Sequence, residues 1–226
     1  IYVSVDHYVR FMDLDFAYGV ALARVGGRTV LRLAQAELLP FEFNAFAETV
    51  ARYVEEIEAL AEELRQETDT HNRLLELGAF ALVAPPGETR VDPPRRDPVP
   101  DLNLAPLENA VVRLKAAAEA YDGALRDAGP RAPAEARRRA DALLLRVEQS
   151  LTRPEGLPGR PWFRHFVYAP GFYTGYGVKT LPVVREAIEQ RQWSQVDAGV
   201  AATAAVLEAF ADEVEKASAA LAGGAE

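Results

Sequence analysis

Cysteine is absent from these 226 residues, methionine occurs once and histidine only three times. Without cysteine there are no disulfides and no thiolate metal sites, and the redox compartment stays open. The histidines, His7, His71 and His165, are scattered, and none belongs to a His-Glu-x-x-His or Glu-x-x-His pair. A metal site needs several convergent ligands, so the sequence offers none. Basic charge is also short, with a formal net charge of -9. That balance excludes the basic footprint expected of a nucleic-acid binder. The runs Arg137 to Arg139 and Arg95-Arg96 read as solvated surface. No apolar run reaches the roughly 18 residues of a membrane span. The longest low-polarity stretch, Ala198 to Ala211, is too short and too rich in Ala, and no signal-peptide pattern is recognisable. No P-loop occurs, and Ser4, Ser150, Ser194 and Ser218 lie outside any nucleophile elbow. GFYTGYG at 171–177 is glycine-rich but lacks the strand-turn-helix setting of a dinucleotide loop. These residues do not make a self-sufficient enzyme. No membrane or nucleic-acid contact is expected.

What is present is helix. The apolar share of 49% suffices for a sizeable core. Asp13 or Asp15 is placed to cap a first helix running to about Ala36. Gly26-Gly27 in its middle implies a kink, a frayed end or the close approach of another backbone. After Leu39-Pro40, Asn44 is a suitable N-cap for a second helix. Phe46, Val50, Tyr53, Ile57, Leu60 and Leu64 then recur at helical spacing. Pro106 opens a third helix, with Leu107, Val111, Leu114, Ala118, Tyr121 and Leu125 inward, and Gly129-Pro130 ends it. A fourth is expected from about Pro133 to Leu151, a short one from Leu181-Pro182 to about Gln190, and a long Ala-rich one from Trp193. The expected fold class is all-α: a bundle of four long helices with additional short ones.

Two stretches break the pattern. Residues 84–100, APPGETRVDPPRRDPVP, are too rich in Pro for helix and read as an extended, mobile surface excursion. Residues 156–182, GLPGRPWFRHFVYAPGFYTGYGVKTLP, hold seven of the chain's Phe, Trp and Tyr residues and no acid. So many aromatics argue for a packed loop, and a loop of this length inside a domain is usually functional. Trp162, Phe163, His165, Phe166 and Tyr168 are expected to anchor its first half. Tyr173 to Lys179, with glycines at 175 and 177, should form an exposed tip.

EGLPGRPWFRHFVYAP at 155–170, then Tyr176, Leu181-Pro182 and the Ala-rich terminal helix, resemble the C-terminal helical domain of the transferrin receptor and glutamate carboxypeptidase II family. DLDFAYGVALARVGGRTVLRLAQAELLPFEF at 13–43 is similar to that domain's first helix and its Leu-Pro-Phe exit. The resemblance implies that residues 1–226 form one helical dimerisation domain whose upstream protease domain is absent. The parent would be a zinc-dependent exopeptidase, with two zinc ions and the general base in the missing domain. This chain would then carry no cofactor, no catalytic residue and no metal ligand, His7 included. Implied partners are a second copy of the chain, the parent protease domain and, in the intact enzyme, a peptide substrate. The family's carboxypeptidases extend the matching loop toward the substrate pocket, where a Lys-Tyr pair holds a C-terminal glutamate. The Tyr matches Tyr176, but Gly175 stands in place of the Lys, which puts a strict glutamate preference in doubt. Lys179 is a pocket cation or a solvated side chain, and Tyr176 lines the pocket or merely packs. The family's receptor branch implies a second reading, a non-catalytic protein-binding domain.

Overall fold

The computed structural model describes residues 4–83, 87 and 91–223, in two compact units, Ile1–Phe41 and Glu42–Glu226. In the first unit, α1 (Val5–Phe11) begins on Ser4, whose hydroxyl accepts from the His7 amide. The second helix, α2 (Ala17–Ala34), is capped by Asp13, four residues before its first residue. Asp13 Oδ1 accepts from the Tyr18 amide at 3.1 Å and Oδ2 from the Gly19 amide at 2.9 Å. Burial alone would raise the pKa of this carboxyl. The Gly19 and Tyr18 amides and the Tyr8 hydroxyl outweigh it and hold it below the usual range. Gly26-Gly27 does not end α2, and a Cβ there would meet nothing within 4 Å, so no other backbone approaches them closely. No residue of α2 is buried, although Tyr18, Leu22, Val25 and Leu33 fall on one helical face.

In the second unit, α3 (Asn44–Glu76) and α4 (Ala105–Asp127) supply two long sides of the bundle. Val50, Val54, Ile57 and Ala61 of α3 are buried, as are Leu107, Ala110, Leu114, Ala118 and Tyr121 of α4. Asn44 does not cap α3. Its side-chain role is taken by Asp122 from α4, which accepts from the Phe43 and Asn44 amides at 3.3 Å each. That bond joins residues far apart in sequence, so no local spacing announces it. Phe43 packs edge-on against Tyr121 and Phe210 just beside it. The last helix, α7 (Trp193–Ala222), lies against α4, α5 (Ala134–Leu144) and α6 (Pro182–Glu189). Its alanines serve this internal packing: Ala204, Ala211 and Ala217 are buried, and a Cβ on Gly199 would stand 3.0 Å from Val183 Cγ1. Small residues let α6 and α7 approach closely, while other alanines of α7, Ala198, Ala201 and Ala205 among them, stay exposed.

The fourth helix is shorter than its sequence predicts. It stops at Leu144 and tightens into a 3-10 turn over Val147–Leu151. The tighter winding keeps Leu144, Val147 and Leu151 all buried while the chain turns out toward the aromatic segment. Of the Pro-rich excursion, 84–86 and 88–90 lie outside the described residues. Residues 91–100 have no regular secondary structure, but they are tied down. The Asn72 side chain both donates to the Arg96 carbonyl and accepts from its amide, at 2.9 Å each. Arg96 pairs with Glu67, Arg95 with Glu76, and Val99 is buried. Asn72→Ala is therefore expected to cost about 1–3 kcal/mol, the range for stranding buried polar groups. Limited proteolysis checks it: the 91–100 segment should resist cleavage in the wild type and become a cutting site in the variant.

Tyr121 is fully buried with no hydrogen-bond partner for its hydroxyl. Burial, with smaller contributions from the Asp141 and Asp122 charges, pushes its pKa up to about 12. The hydroxyl is a desolvated dipole that returns nothing. Tyr121→Phe should raise the unfolding free energy by about 1 kcal/mol in urea titration.

Candidate functional site

The aromatic segment is better ordered than a long loop. Its first part is a double-backed turn on the end of α5. Thr152 and His165 form an isolated bridge, the Arg153 amide donates to the Arg164 carbonyl, and the Leu157 amide donates to the Phe163 carbonyl. Gly156 and Gly159 both take positive φ, +69°. At Gly156 any Cβ would fall 2.2 Å from the Pro161 carbonyl oxygen, so only glycine fits. The turn folds inward around Arg160, whose side chain is 4% exposed. Arg160 Nη2 lies 2.7 Å from Glu186 Oε2 on α6, and the guanidinium sits over the Phe172 ring. The other Glu186 oxygen accepts from the Phe172 amide at 2.7 Å. One partly buried carboxylate thus joins the first turn, α6 and the next part of the segment.

That next part is a β-hairpin. Strand β1 (Tyr168–Pro170) pairs antiparallel with β2 (Val178–Thr180), with Ala169 opposite Lys179. The Gly171 amide donates to the Gly177 carbonyl at 2.9 Å and the Gly177 amide to the Thr174 carbonyl at 3.1 Å, which closes the tip. Gly175, with φ +56°, sits in the left-handed region that this turn requires. At the base, Arg185 Nε donates to the Thr180 carbonyl, while its Nη2 reaches both Thr180 Oγ1 and Glu56 on α3. Lys179 Nζ pairs with Glu189 Oε1 at 2.7 Å. Leu181, buried and in the left-handed region, then turns the chain into α6.

The residues named from sequence divide sharply. Phe166 is buried and Phe163 partly so, but Trp162 is 70% exposed and Tyr168 is also exposed. Trp162 therefore does not anchor the segment within this chain. The anchoring burial comes instead from Leu157, Arg160, Val167, Ala169 and Leu181. Ring size favours Trp162 as an anchor, yet Trp162 is exposed while Arg160, two residues earlier, is buried. Trp162→Ala should accordingly change the melting temperature of the isolated chain little. Tyr173 and Tyr176 stand out on the hairpin tip, with Tyr176 fully exposed. Lys179 is neither free nor merely solvated, being held by Glu189. Between the tip and α6 lies a cavity of about 270 Å³, bordered by Pro158, Gly159, Phe172, Tyr173, Glu186 and Gln190. Sequence reasoning missed Arg160–Glu186 and Arg185–Glu56. The one signal for the former was an arginine between two turn-forming glycines and a proline.

His165 holds the hairpin's entry. Its Nδ1 accepts from the Val167 and Tyr168 amides at 3.2 Å each, which fixes the neutral tautomer with the proton on Nε2. Burial pushes its pKa down, more than the nearby Glu148 carboxylate pulls it up. The unfolded chain, titrating near about pH 6.5, then takes up its proton before the folded chain does. Stability from this residue is present at neutral pH and is lost as pH falls below that value. Urea unfolding of wild type and His165→Asn from about pH 5 to 7.5 should show the wild type losing more stability on acidification.

Among the described residues no cluster of three or more His, Asp or Glu side chains is placed to hold a metal ion, and no helix is long and apolar enough to cross a membrane. The model of the transferrin receptor-like dimerisation domain matches residues 102–215, from α4 through most of α7. The chain belongs to this family. The dimerisation domain is also similar to the probable glutamate carboxypeptidase LAMP1 of Arabidopsis thaliana, 29% identical over 80% of this chain and 21% of that protein. It is similar to the aminopeptidase NAALADL1 of Rattus norvegicus, 26% identical over 89% of this chain and 22% of the relative. A third relative, the probable glutamate carboxypeptidase AMP1 of Arabidopsis thaliana, is 27% identical over 82% of the chain. The dimerisation domain spans about a fifth of the length of these relatives.

Proposed function

We propose that this chain is the dimerisation module of a zinc-dependent exopeptidase, and that it lends its hairpin tip to the parent's substrate pocket. The observation that carries the second half is the tip itself. Tyr173 and Tyr176 are held in the open on a stem fixed by Glu186, Glu189 and Arg185, and they contribute nothing to the core. A rigid frame presenting exposed aromatics is the usual arrangement of a binding loop. The peptidase names of the relatives support the parent's chemistry, in which zinc would supply the activated water from a domain outside this chain. Among the described residues no group of three or more His, Asp or Glu side chains could hold the metal, and the part proposed for this chain is positioning and pocket shape. In the intact protein, Tyr176→Phe should leave stability unchanged and raise KM if the hydroxyl meets substrate. Unaltered kinetics on the best substrate would remove the hydroxyl from the pocket. A parent with no zinc and no peptidase activity would favour the receptor-like alternative.

Self-association is supported by uncovered apolar surface together with the family assignment. Tyr18, Leu22 and Val25 on α2 are exposed, as are Val112 on α4 and Trp162. The contact should be two-fold and isologous, burying at least about 1,000 Å². Sedimentation of the chain over a wide concentration range should show a dimer. Monomer throughout would mean that this domain does not dimerise by itself.

A further inference from the structure

The tip's charge, or lack of it, narrows what it can take. From Tyr168 to Val178 the chain reads YAPGFYTGYGV, with no Asp, Glu, Lys, Arg or His. The three cations of the 156–182 segment are engaged or placed elsewhere. Arg160 is buried against Glu186, and Lys179 is bound to Glu189. Arg164 belongs to the stretch bridged to Thr152 and Arg153, ahead of the hairpin. The nearby acids are spent in the same way: Glu186 has both oxygens occupied, and Glu148 accepts from the Tyr168 hydroxyl. The tip thus offers aromatic faces, tyrosine hydroxyls and backbone groups, but no formal charge. A carboxylate or ammonium brought against it would lose water and meet no counter-charge, which is costly. An apolar or aromatic side chain would gain from burial against the same rings.

We infer that the part of the substrate pocket formed by this hairpin takes a neutral apolar or aromatic side chain of a peptide, and disfavours an acidic one. The inference rests on the pocket role proposed above. It departs from the glutamate specificity in the names of two relatives.

The test uses the intact peptidase and dipeptides, free and N-blocked, that vary Phe, Leu, Glu or Lys at the terminal position. Phe and Leu should exceed Glu in kcat/KM by about tenfold or more, the discrimination available to an uncharged pocket. Tyr176→Ala should cut the Phe and Leu values and scarcely move the Glu value. Glu189→Gln leaves Lys179 without its counter-charge, so it should raise kcat/KM for the Glu peptide several-fold, as expected for a new charge-assisted contact. A wild-type preference for Glu, with Tyr176→Ala still impairing hydrolysis, would overturn the inference while keeping the tip in the pocket. If Tyr176→Ala alters no substrate at all, the pocket role fails and the inference falls with it.

Discussion

Arg160→Ala is expected to lower the unfolding free energy by about 3–5 kcal/mol, the range found when one partner of a buried ion pair is removed. The guanidinium is 4% exposed and the Glu186 side chain 14%, so neither charge is screened by water to any great extent. Removing Arg160 leaves Glu186 desolvated, with only the Phe172 amide to satisfy it. Domains of this kind are stable by only about 5–15 kcal/mol, so the loss is a large fraction of the whole. The pair is not thereby a net source of stability. Arg160 Nε and Nη1 are buried without partners, a cost the native state already carries. Replacing both residues by methionine should therefore recover most of the loss, short of about 1 kcal/mol for the stranded Phe172 amide. Urea titrations of the single and double variants form the cycle that measures the coupling. Additive single effects would show that Arg160 matters for its packing alone.

Gly156→Ala is the second large effect, expected at about 3 kcal/mol or more. A non-glycine residue at φ +69° costs about 1–2 kcal/mol on its own. In addition, the new methyl would fall 2.2 Å from the Pro161 carbonyl oxygen and 2.6 Å from the Pro161 carbonyl carbon, so backbone must move. Overpacking of that sort adds about 1–3 kcal/mol. Gly175→Ala is the matched control. Its φ is +56°, but a Cβ there meets nothing within 4 Å, so only the conformational cost of about 1–2 kcal/mol remains. Comparable losses at the two positions would show that the turn at Gly156 yields without displacing Pro161.

The helices were legible in the sequence wherever one side of a helix faces one core. Leu107, Val111, Leu114 and Ala118 on α4 announce their burial by spacing alone, whereas on α3 only Val50 and Ile57 of the expected stripe are buried; Tyr53, Leu60 and Leu64 are half-buried and Val54 and Ala61 take the core positions beside them. Features set by distant partners were not legible. Asp122 caps α3 from another helix, and Asn72 fastens an irregular segment some twenty residues away. The end of α5 was misplaced because Leu144, Val147 and Leu151 suit an α-helix and a tighter 3-10 turn equally well. Within the aromatic segment, residue type gave the wrong anchors: size alone favoured Trp162, whereas turn geometry sends Arg160 inward. The tip's exposure was readable from its glycines, but its hairpin was not. A three-residue strand containing Ala and Pro carries almost no strand signal.

The hairpin tip has a consequence for how such a domain diversifies. The Gly171 to Gly177 bond closes the ribbon below Tyr173, Thr174, Gly175 and Tyr176, and these four residues lie outside every core contact described. The identities of Tyr173 and Tyr176 are thus nearly uncoupled from the free energy of folding, whereas Gly175 is held to glycine by its positive φ and Thr174 by its bonds to Gly177. Sequence drift or deliberate exchange at the two tyrosines can retune recognition without first passing through an unstable intermediate. The frame beneath, held by Gly156, Arg160, Arg185, Glu186 and Glu189, has no such freedom. A short interchangeable cassette on an unforgiving mount would let one helical scaffold serve proteins that differ in what they bind.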